Sequence, residues 1–385
     1  MKKNIFLSVF ILFIAAFLLS ACGSSGPAVS ADADSTPVSV SPVIPDSPTV
    51  EDTAAPQSSS LPAEAEELAA AEQVPAPISL TLWCVEGEAS GLLSDWLADH
   101  ASEFSVTVQT FGSPASLLDS TSEGLPDIIF CSGLSLAQLG LSSSDFYTIG
   151  YDIPVLLVDD AALQSAGYST QWISGISFEQ LCSIAANSEY PDFLAAESFA
   201  DVIENVMLAC GESLSGDSSE NRTNPLFISV YNMLAECAYS YTLNFTLTYP
   251  AELDAGSTAC MFAASSTAMS MDRSGITVLP FPQPEASDST LAAIPCGFAV
   301  MSSEENAAAA QLLTQLLNDT SFCNEAALAA GLVPLGSADA GDDPLRVQLA
   351  GIASSYSLTS PENGSYYLIR DELDAECRSA FADFD

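Results

Sequence analysis

Basic residues are nearly absent. The 385-residue chain has Lys2, Lys3 and five arginines (Arg222, Arg273, Arg346, Arg370 and Arg378) against 50 acidic residues. Neither lysine nor arginine occurs between Lys3 and Arg222. Phosphate binding is mostly neutralisation by Lys and Arg with release of counterions, so this balance excludes nucleic acid as a partner. It also excludes electrostatic adhesion to anionic lipid. Solubility is the plain consequence of such a charge. Histidine is scarcer still, since His100 is the only one. With no GxSxG elbow, HExxH or P-loop, no catalytic residue, metal or cofactor is assigned, and the chain is not expected to be an enzyme. A hydrolase using carboxylates alone is the enzymatic alternative. The ten cysteines contain no pair at CxxC spacing, and one histidine leaves a Cys/His zinc site little to build from. They read as small buried hydrophobes. The sequence picks no disulfide partners.

What is present begins with a leader. Lys2 and Lys3 precede an apolar run from Ile5 to Leu19, the layout of a secretory signal. The run falls short of the roughly 20 apolar residues of a spanning helix, which is the rival reading. Leu19-Ser20-Ala21-Cys22 closes it and resembles the lipobox of bacterial lipoproteins. That resemblance implies cleavage after residue 21 and acyl chains on Cys22, each buried CH₂ contributing about 0.8 kcal/mol. The mature chain would carry five arginines against 50 acids, a formal charge of 5 − 50 = −45. Residues 22–77 are rich in Ser, Ala, Pro and acid and contain no aromatic. They cannot bury enough surface to offset chain entropy and read as a lipid-anchored tether.

Order begins at Ile78. Ile78-Ser79-Leu80-Thr81-Leu82-Trp83 alternates with period two, and Leu92, Leu93, Trp96, Leu97, His100 and Phe104 follow at helical spacing. A strand at Val106–Val108, a helix over 116–122 and a buried strand at Pro126–Phe130 complete a βαβαβ rhythm. A strand at Val155–Val158 opens a helix-rich stretch reaching about Ala255. Further strands are expected at Thr258–Ala263, Gly275–Leu279 and Gly297–Met301. Ser302-Ser303-Glu304-Glu305 reads as an N-cap, with Leu312, Leu313, Leu316 and Leu317 buried behind it. A helix over Phe322–Ala330 ends at Gly331, which suits a left-handed C′ position. The last helix starts near Ser365.

Several segments resemble the extracytoplasmic solute-binding proteins of ABC importers, in the sugar-binding branch that includes maltose-binding protein. Leu80-Thr81-Leu82-Trp83 with its acidic turn is similar to that family's first strand and loop. Gly124-Leu125-Pro126-Asp127-Ile128-Ile129-Phe130 is similar to its GxPDII strand. Ile153 to Leu163, Gly256 to Met261, Gly275 to Pro280, and Gly331-Leu332-Val333-Pro334 match further segments in the same order. The resemblance implies an α/β, periplasmic-binding-protein-like (type II) fold of two lobes, each a mostly parallel sheet flanked by helices. Lobe 1 would hold residues 78–153 and 279–334, and lobe 2 residues 154–278 and 335–385. Such lobes close on a small solute, a carbohydrate first, and deliver it to ABC permease subunits. The protein is then a monomer at the extracytoplasmic face of the cell membrane, attached through Cys22.

Candidate ligand contacts follow from the resemblance. Glu86 and Glu88 lie in the turn after the first strand, and carboxylates accept paired sugar hydroxyls well. Ser132 follows the PDII strand, while Tyr151 and Asp152 sit at the first crossing. Tyr366 and Tyr367 match the family's Ser-aromatic helix start, where a ring stacks on a pyranose. Trp172 and Tyr231 are second-lobe candidates. Trp83 and Trp96 read as packing residues. Met271-Asp272-Arg273 replaces the family's Gly-Ser/Pro-Trp, so Asp272 and Arg273 become polar candidates. Cys131 stands where an aromatic is common. Those departures leave two alternatives: a cation or polyamine receptor, and a surface scaffold or adhesin that keeps the fold.

Overall fold

The computed structural model describes residues 77–85, 87–122, 124–133, 146–245, 258–271, 274–285, 287, 289–301, 307–335, 343–360 and 365–382, without the side chains of Pro114, Ala115, Ser365, Tyr367 and Leu368. The leader, Cys22, the tether and the Ser302–Glu305 cap lie outside the described residues.

The chain opens with β1 (Ile78–Val85), α1 (Glu88–His100), β2 (Phe104–Phe111), α2 (Pro114–Ser120), β3 (Ile128–Ser132) and β4 (Phe146–Asp152). Period-two alternation puts Leu80 and Leu82 on the face of β1 that α1 covers. Trp83 lies on the other face, with Phe111 and Leu117. The Ser113 hydroxyl caps α2 by accepting from Ser116 N at 3.2 Å, satisfying a helix donor that would otherwise be orphaned.

After Ile153 the chain continues through β5 (Pro154–Asp159), α3 (Asp160–Ser165), α4 (Thr170–Ile173), α5 (Phe178–Asn187), β6 (Leu194–Ala196) and α6 (Phe199–Ala209). Then come α7 (Ser218–Asn221), α8 (Pro225–Tyr239), β7 (Leu243–Asn244), β8 (Cys260–Ala264), α9 (Ser265–Ser270) and β9 (Ile276–Pro280). The chain returns through β10 (Thr290–Ala292), β11 (Ile294–Val300), α10 (Ala307–Asn318), α11 (Thr320–Ala329) and β12 (Val333–Pro334). It closes with α12 (Pro344–Ser355), β13 (Ser357–Thr359) and α13 (Ser365–Ala382).

Two principal sheets result, ordered β12-β4-β11-β3-β1-β2 and β7-β6-β8-β5-β9. β1, β2 and β3 are parallel, and so are β6, β7 and β8. β11 is antiparallel to both its neighbours, and β5 to both of its own. The ladders are thus mixed within the expected α/β architecture. The reason is direction: β5 and β11 start where the chain changes sheets, whereas the strands beside them end on that side.

The first crossing is Ile153, between β4 and β5. The second falls later than residue 278. Val155 pairs with Pro280 in the second sheet, Leu291 and Ala293 join the second core, and the chain rejoins the first sheet at Ile294. Burial splits the same way, with one large core in the second lobe and two clusters on the faces of the first sheet. Gly331 ends α11 at φ +75°, as its sequence context implies. A Cβ there would stand 2.6 Å from Ser266 Cα, so glycine also lets α11 approach α9 of the second lobe.

Candidate functional site

Parallel strands carry their neighbouring loops to one edge, and in open α/β sheets ligands bind beyond the carboxyl ends. In the first lobe those ends are Val85, Phe111, Ser132 and Asp152; in the second they are Ala196, Asn244, Ala264 and Pro280. The described loops at this edge contain Gly87, Glu88, Gly133, Glu197, Ser198 and Ser265. Glu88 is exposed in the first turn of α1, and Ser132 is half-buried beside β11, paired with Cys296. Glu86, Asp272 and Arg273 lie outside the described residues, as does the side chain of Tyr367.

Asp152 ends β4, and its carboxylate is committed across the crossing. It accepts from Ser265 Oγ at 2.8 Å, from Ser266 N at 3.0 Å and from Ser266 Oγ. Ser265 Oγ in turn accepts from Ile153 N at 3.2 Å. The first crossing is thereby tied to the first turn of α9. Burial pushes the Asp152 carboxyl up from the ordinary carboxylate range, while the serine hydrogen bonds pull it back. Tyr151 beside it is half-buried, pairs with Pro295 and Val333, and packs on the second core.

Glu197, just past β6, accepts from Ala264 N and Thr267 Oγ1, both at 3.0 Å. Burial raises its carboxyl, and the charges of Asp152 and Asp201 add to the rise. One turn into α6, Asp201 takes Arg370 Nε at 2.7 Å, Arg370 Nη2 at 2.6 Å and the Tyr366 hydroxyl. Glu204 accepts from Ser213 Oγ and Leu214 N, both at 2.7 Å, and burial pushes it to about 7. Asp152, Glu197, Asp201 and Tyr366 surround a cavity of about 50 Å³ at the crossing, room for a few water molecules. A groove of about 450 Å³ lies between β12 and α12, lined by Met269, Leu328, Val333, Arg346 and Leu349. Among the described residues Arg346 Nε has no hydrogen-bond partner, and it lies 3.8 Å from Asp343 Oδ2. Among the described residues, no cluster of three or more His, Cys, Asp or Glu is arranged to hold a metal ion.

Three aromatic candidates differ in placement. Tyr366 is 1% exposed and its hydroxyl bonds Asp201, so it is a core residue with no face open to a sugar. An amphipathic helix start and a stacking platform look alike in sequence, and burial decides between them. Tyr231 is wedged on α8 between Phe227 and Phe381, at 6.2 and 5.5 Å between ring centroids. Trp172 is exposed on α4, beyond Asp159 at the end of β5 opposite the crossing. Sequence reasoning missed Glu197, Asp201, Glu204, Ser265 and Ser266. The signal was Phe193-Leu194-Ala195-Ala196 followed by Glu197-Ser198, a short apolar strand ending on a helix cap whose Ser198 Oγ accepts from Asp201 N. Trp96 packs as expected, its Nε1 donating to Asp319 Oδ2 at 2.8 Å. His100 stacks on it at 5.0 Å between ring centroids.

No protein-family model matches the sequence, and no curated protein matches it. Solved structures do match. An ABC substrate-binding protein from Listeria monocytogenes, in complex with cycloalternan, gives a TM-score of 0.63 at 12% identity, covering 80% of this chain and 95% of that one. A cyclic α-maltosyl-1,6-maltose binding protein from Arthrobacter globiformis gives 0.59 at 12% identity, with the same 80% and 95% coverage. Maltose-bound MalE3 from T. maritima gives 0.56 at 14% identity over 80% and 95%. This chain therefore has the two-lobe α/β fold of the sugar-binding proteins of ABC transporters.

Proposed function

We propose that the protein captures a small carbohydrate between its lobes and presents it to an ABC permease, without making or breaking a bond in the solute. The observation that carries this reading is the first crossing. One residue, Ile153, separates two sheets whose strand ends converge on it, and Asp152 links it to α9. A solute touching both lobes favours the closed arrangement by its differential affinity for it. Solved proteins of this fold bind cycloalternan, maltose, ribitol and tagatose, which supports a carbohydrate or polyol here.

In this reading Glu86, Glu88 and Ser132 supply first-lobe contacts, and Asp272, Arg273 and Tyr367 second-lobe contacts. Asp152 and Tyr151 work the hinge. The division places 78–152 and 294–334 in the first lobe and most of the remainder in the second. Cys22 carries the lipid, residues 23–77 span from the membrane to the lobes, and the protein is a monomer. The described residues contain no helix long and apolar enough to cross a membrane.

A thermal-shift screen of the full chain tests the solute. A ligand binding only the folded state stabilises by about 2.7 kcal/mol at a hundredfold excess over Kd. Mono- and oligosaccharides should raise the midpoint by several degrees. A midpoint unmoved by them but raised by spermidine or divalent cations would transfer the reading to a cation receptor.

A further inference from the structure

The exposed tryptophan points to a second binding surface. Trp172 is 48% exposed, whereas Trp83 and Trp96 are 9% and 7% exposed. Its ring is not loose. It stacks on Tyr168 at 5.3 Å between centroids and 14° between planes. Tyr168 is in turn seated edge-on against the buried Phe193 at 5.8 Å and 84°. The turn carrying Trp172 is anchored as well. The Thr170 hydroxyl donates to Asp160 Oδ1, and Asp160 Oδ2 accepts from Thr277 Oγ1 at 2.9 Å. The indole stacks on Tyr168 while nearly half of the residue's surface stays exposed.

Its position separates this ring from the cleft. β5 runs from Pro154 at the crossing to Asp159, and six strand residues span roughly 20 Å. β6 runs the opposite way, with Phe193 before its first residue and Glu197 after its last. Trp172 and Tyr168 therefore occupy the pole of the second sheet remote from Asp152 and Glu197. Tyr190 and Asp192 lie at the same pole, Tyr190 within electrostatic reach of Asp159 and Asp192. Tyr241, 59% exposed, joins them through the bond from Asp192 N to its carbonyl at 3.4 Å.

We propose that this pole binds a neutral polysaccharide, with Trp172 as the stacking platform. A rigid, half-exposed ring offers apolar area to the C–H face of a pyranose at little entropic cost. Tyrosine hydroxyls and the Asp192 carboxylate at the rim suit sugar hydroxyls. No lysine or arginine lies between Lys3 and Arg222, so anionic polymers find no counter-charge on this stretch. The surface would hold the protein on the polymer whose fragments it collects, a function independent of the cleft.

The experiment reads Trp172 directly, because it dominates the fluorescence accessible to a quencher. Amylopectin, arabinoxylan and mixed-linkage β-glucan are each added to the full chain, with acrylamide quenching and native affinity electrophoresis as readouts. One polymer should protect Trp172 from acrylamide and retard the protein. Trp172→Ala should weaken that retention about tenfold or more, and Trp172→Phe should restore part of it. The thermal shift caused by the small solute should persist in both variants, so failure of the cleft reading would appear there alone. Unchanged quenching with all three polymers overturns the proposal, and so does undiminished retention of Trp172→Ala. It is equally overturned if spermidine or polylysine protects Trp172 where glycans do not. A dimer that Trp172→Ala converts to monomer would assign the face to a second copy of the chain and overturn it too.

Discussion

Glu204 carries the clearest pH signature among single residues. It is 1% exposed and its carboxyl is raised to about 7 by burial. A carboxyl raised in the folded state binds its proton there after the unfolded chain has released it. Its contribution is therefore complete below the ordinary carboxylate range and is lost as pH climbs toward 7. The loss amounts to about 3 kcal/mol at most. Asp152 and Glu197 are raised in the same direction. The melting midpoint should fall between pH 4.5 and 7, and Glu204→Gln should flatten that slope; an unchanged slope in the variant would remove Glu204 as the cause. Asp319 behaves oppositely. It caps α11 through Phe322 N at 3.0 Å and accepts from Trp96 Nε1, which lowers its carboxyl. Asp319→Ala should cost about 1–2 kcal/mol in urea unfolding at neutral pH, and the difference from wild type should shrink in acid.

Among elements, α13 is tied to α6 by two of its own guanidiniums, Arg370 on Asp201 and Arg378 on a wider set of partners. Arg378 Nε bonds Asp374 at 2.7 Å, Nη2 bonds Glu197 O at 2.8 Å, and Nη1 bonds Phe245 O at 3.0 Å. Its guanidinium carbon also lies 5.0 Å from the Phe199 ring centroid. Asp374 completes the tie by accepting from Phe199 N at 2.6 Å. Arg378→Met leaves Asp374 without its cation and should cost about 3–5 kcal/mol. Hydrogen exchange of α13 and the start of α6 should quicken before that of β1; uniform protection would show that α13 is held by its apolar face instead. Gly331 and Gly297 are the other weak points. A Cβ on Gly297 would meet Tyr147 O at 2.0 Å, at the register shift between β11 and β4. Gly297→Ala should destabilise by more than the roughly 1–3 kcal/mol of ordinary overpacking, because backbone rather than a side chain must move.

For the whole molecule, the proposed cycle is a hinge equilibrium. A saturating sugar should reduce the radius of gyration in small-angle scattering. Asp152→Asn, which keeps one of the two acceptor oxygens, turns the other into a donor and removes the charge from the Ser265–Ser266 turn, should alter that response more than it alters the melting midpoint. A scattering profile insensitive to every sugar that raises the midpoint would mean binding without closure.

At this scale the legible and the illegible parts separate cleanly. β1, α1, β3 and β5 could be read from period and apolar runs, and Gly331 from its place after an apolar helix. The pairing of β9 with β5 could not, because an apolar strand does not name its neighbour, and so the second crossing lay at Ala293 rather than near residue 278. Tyr366 was legible as an aromatic at a helix start; only packing showed that its ring is enclosed.

The sequence by itself determined the charge, the absence of basic and histidine chemistry, and the order of α/β elements, since these depend on composition and local period. Tertiary structure alone decided which carboxylates meet at the crossing, that Asp152 is tied to α9, and that Trp172 faces water at the far pole. Those outcomes depend on which distant segments come within a few ångströms, and local pattern does not encode that distance.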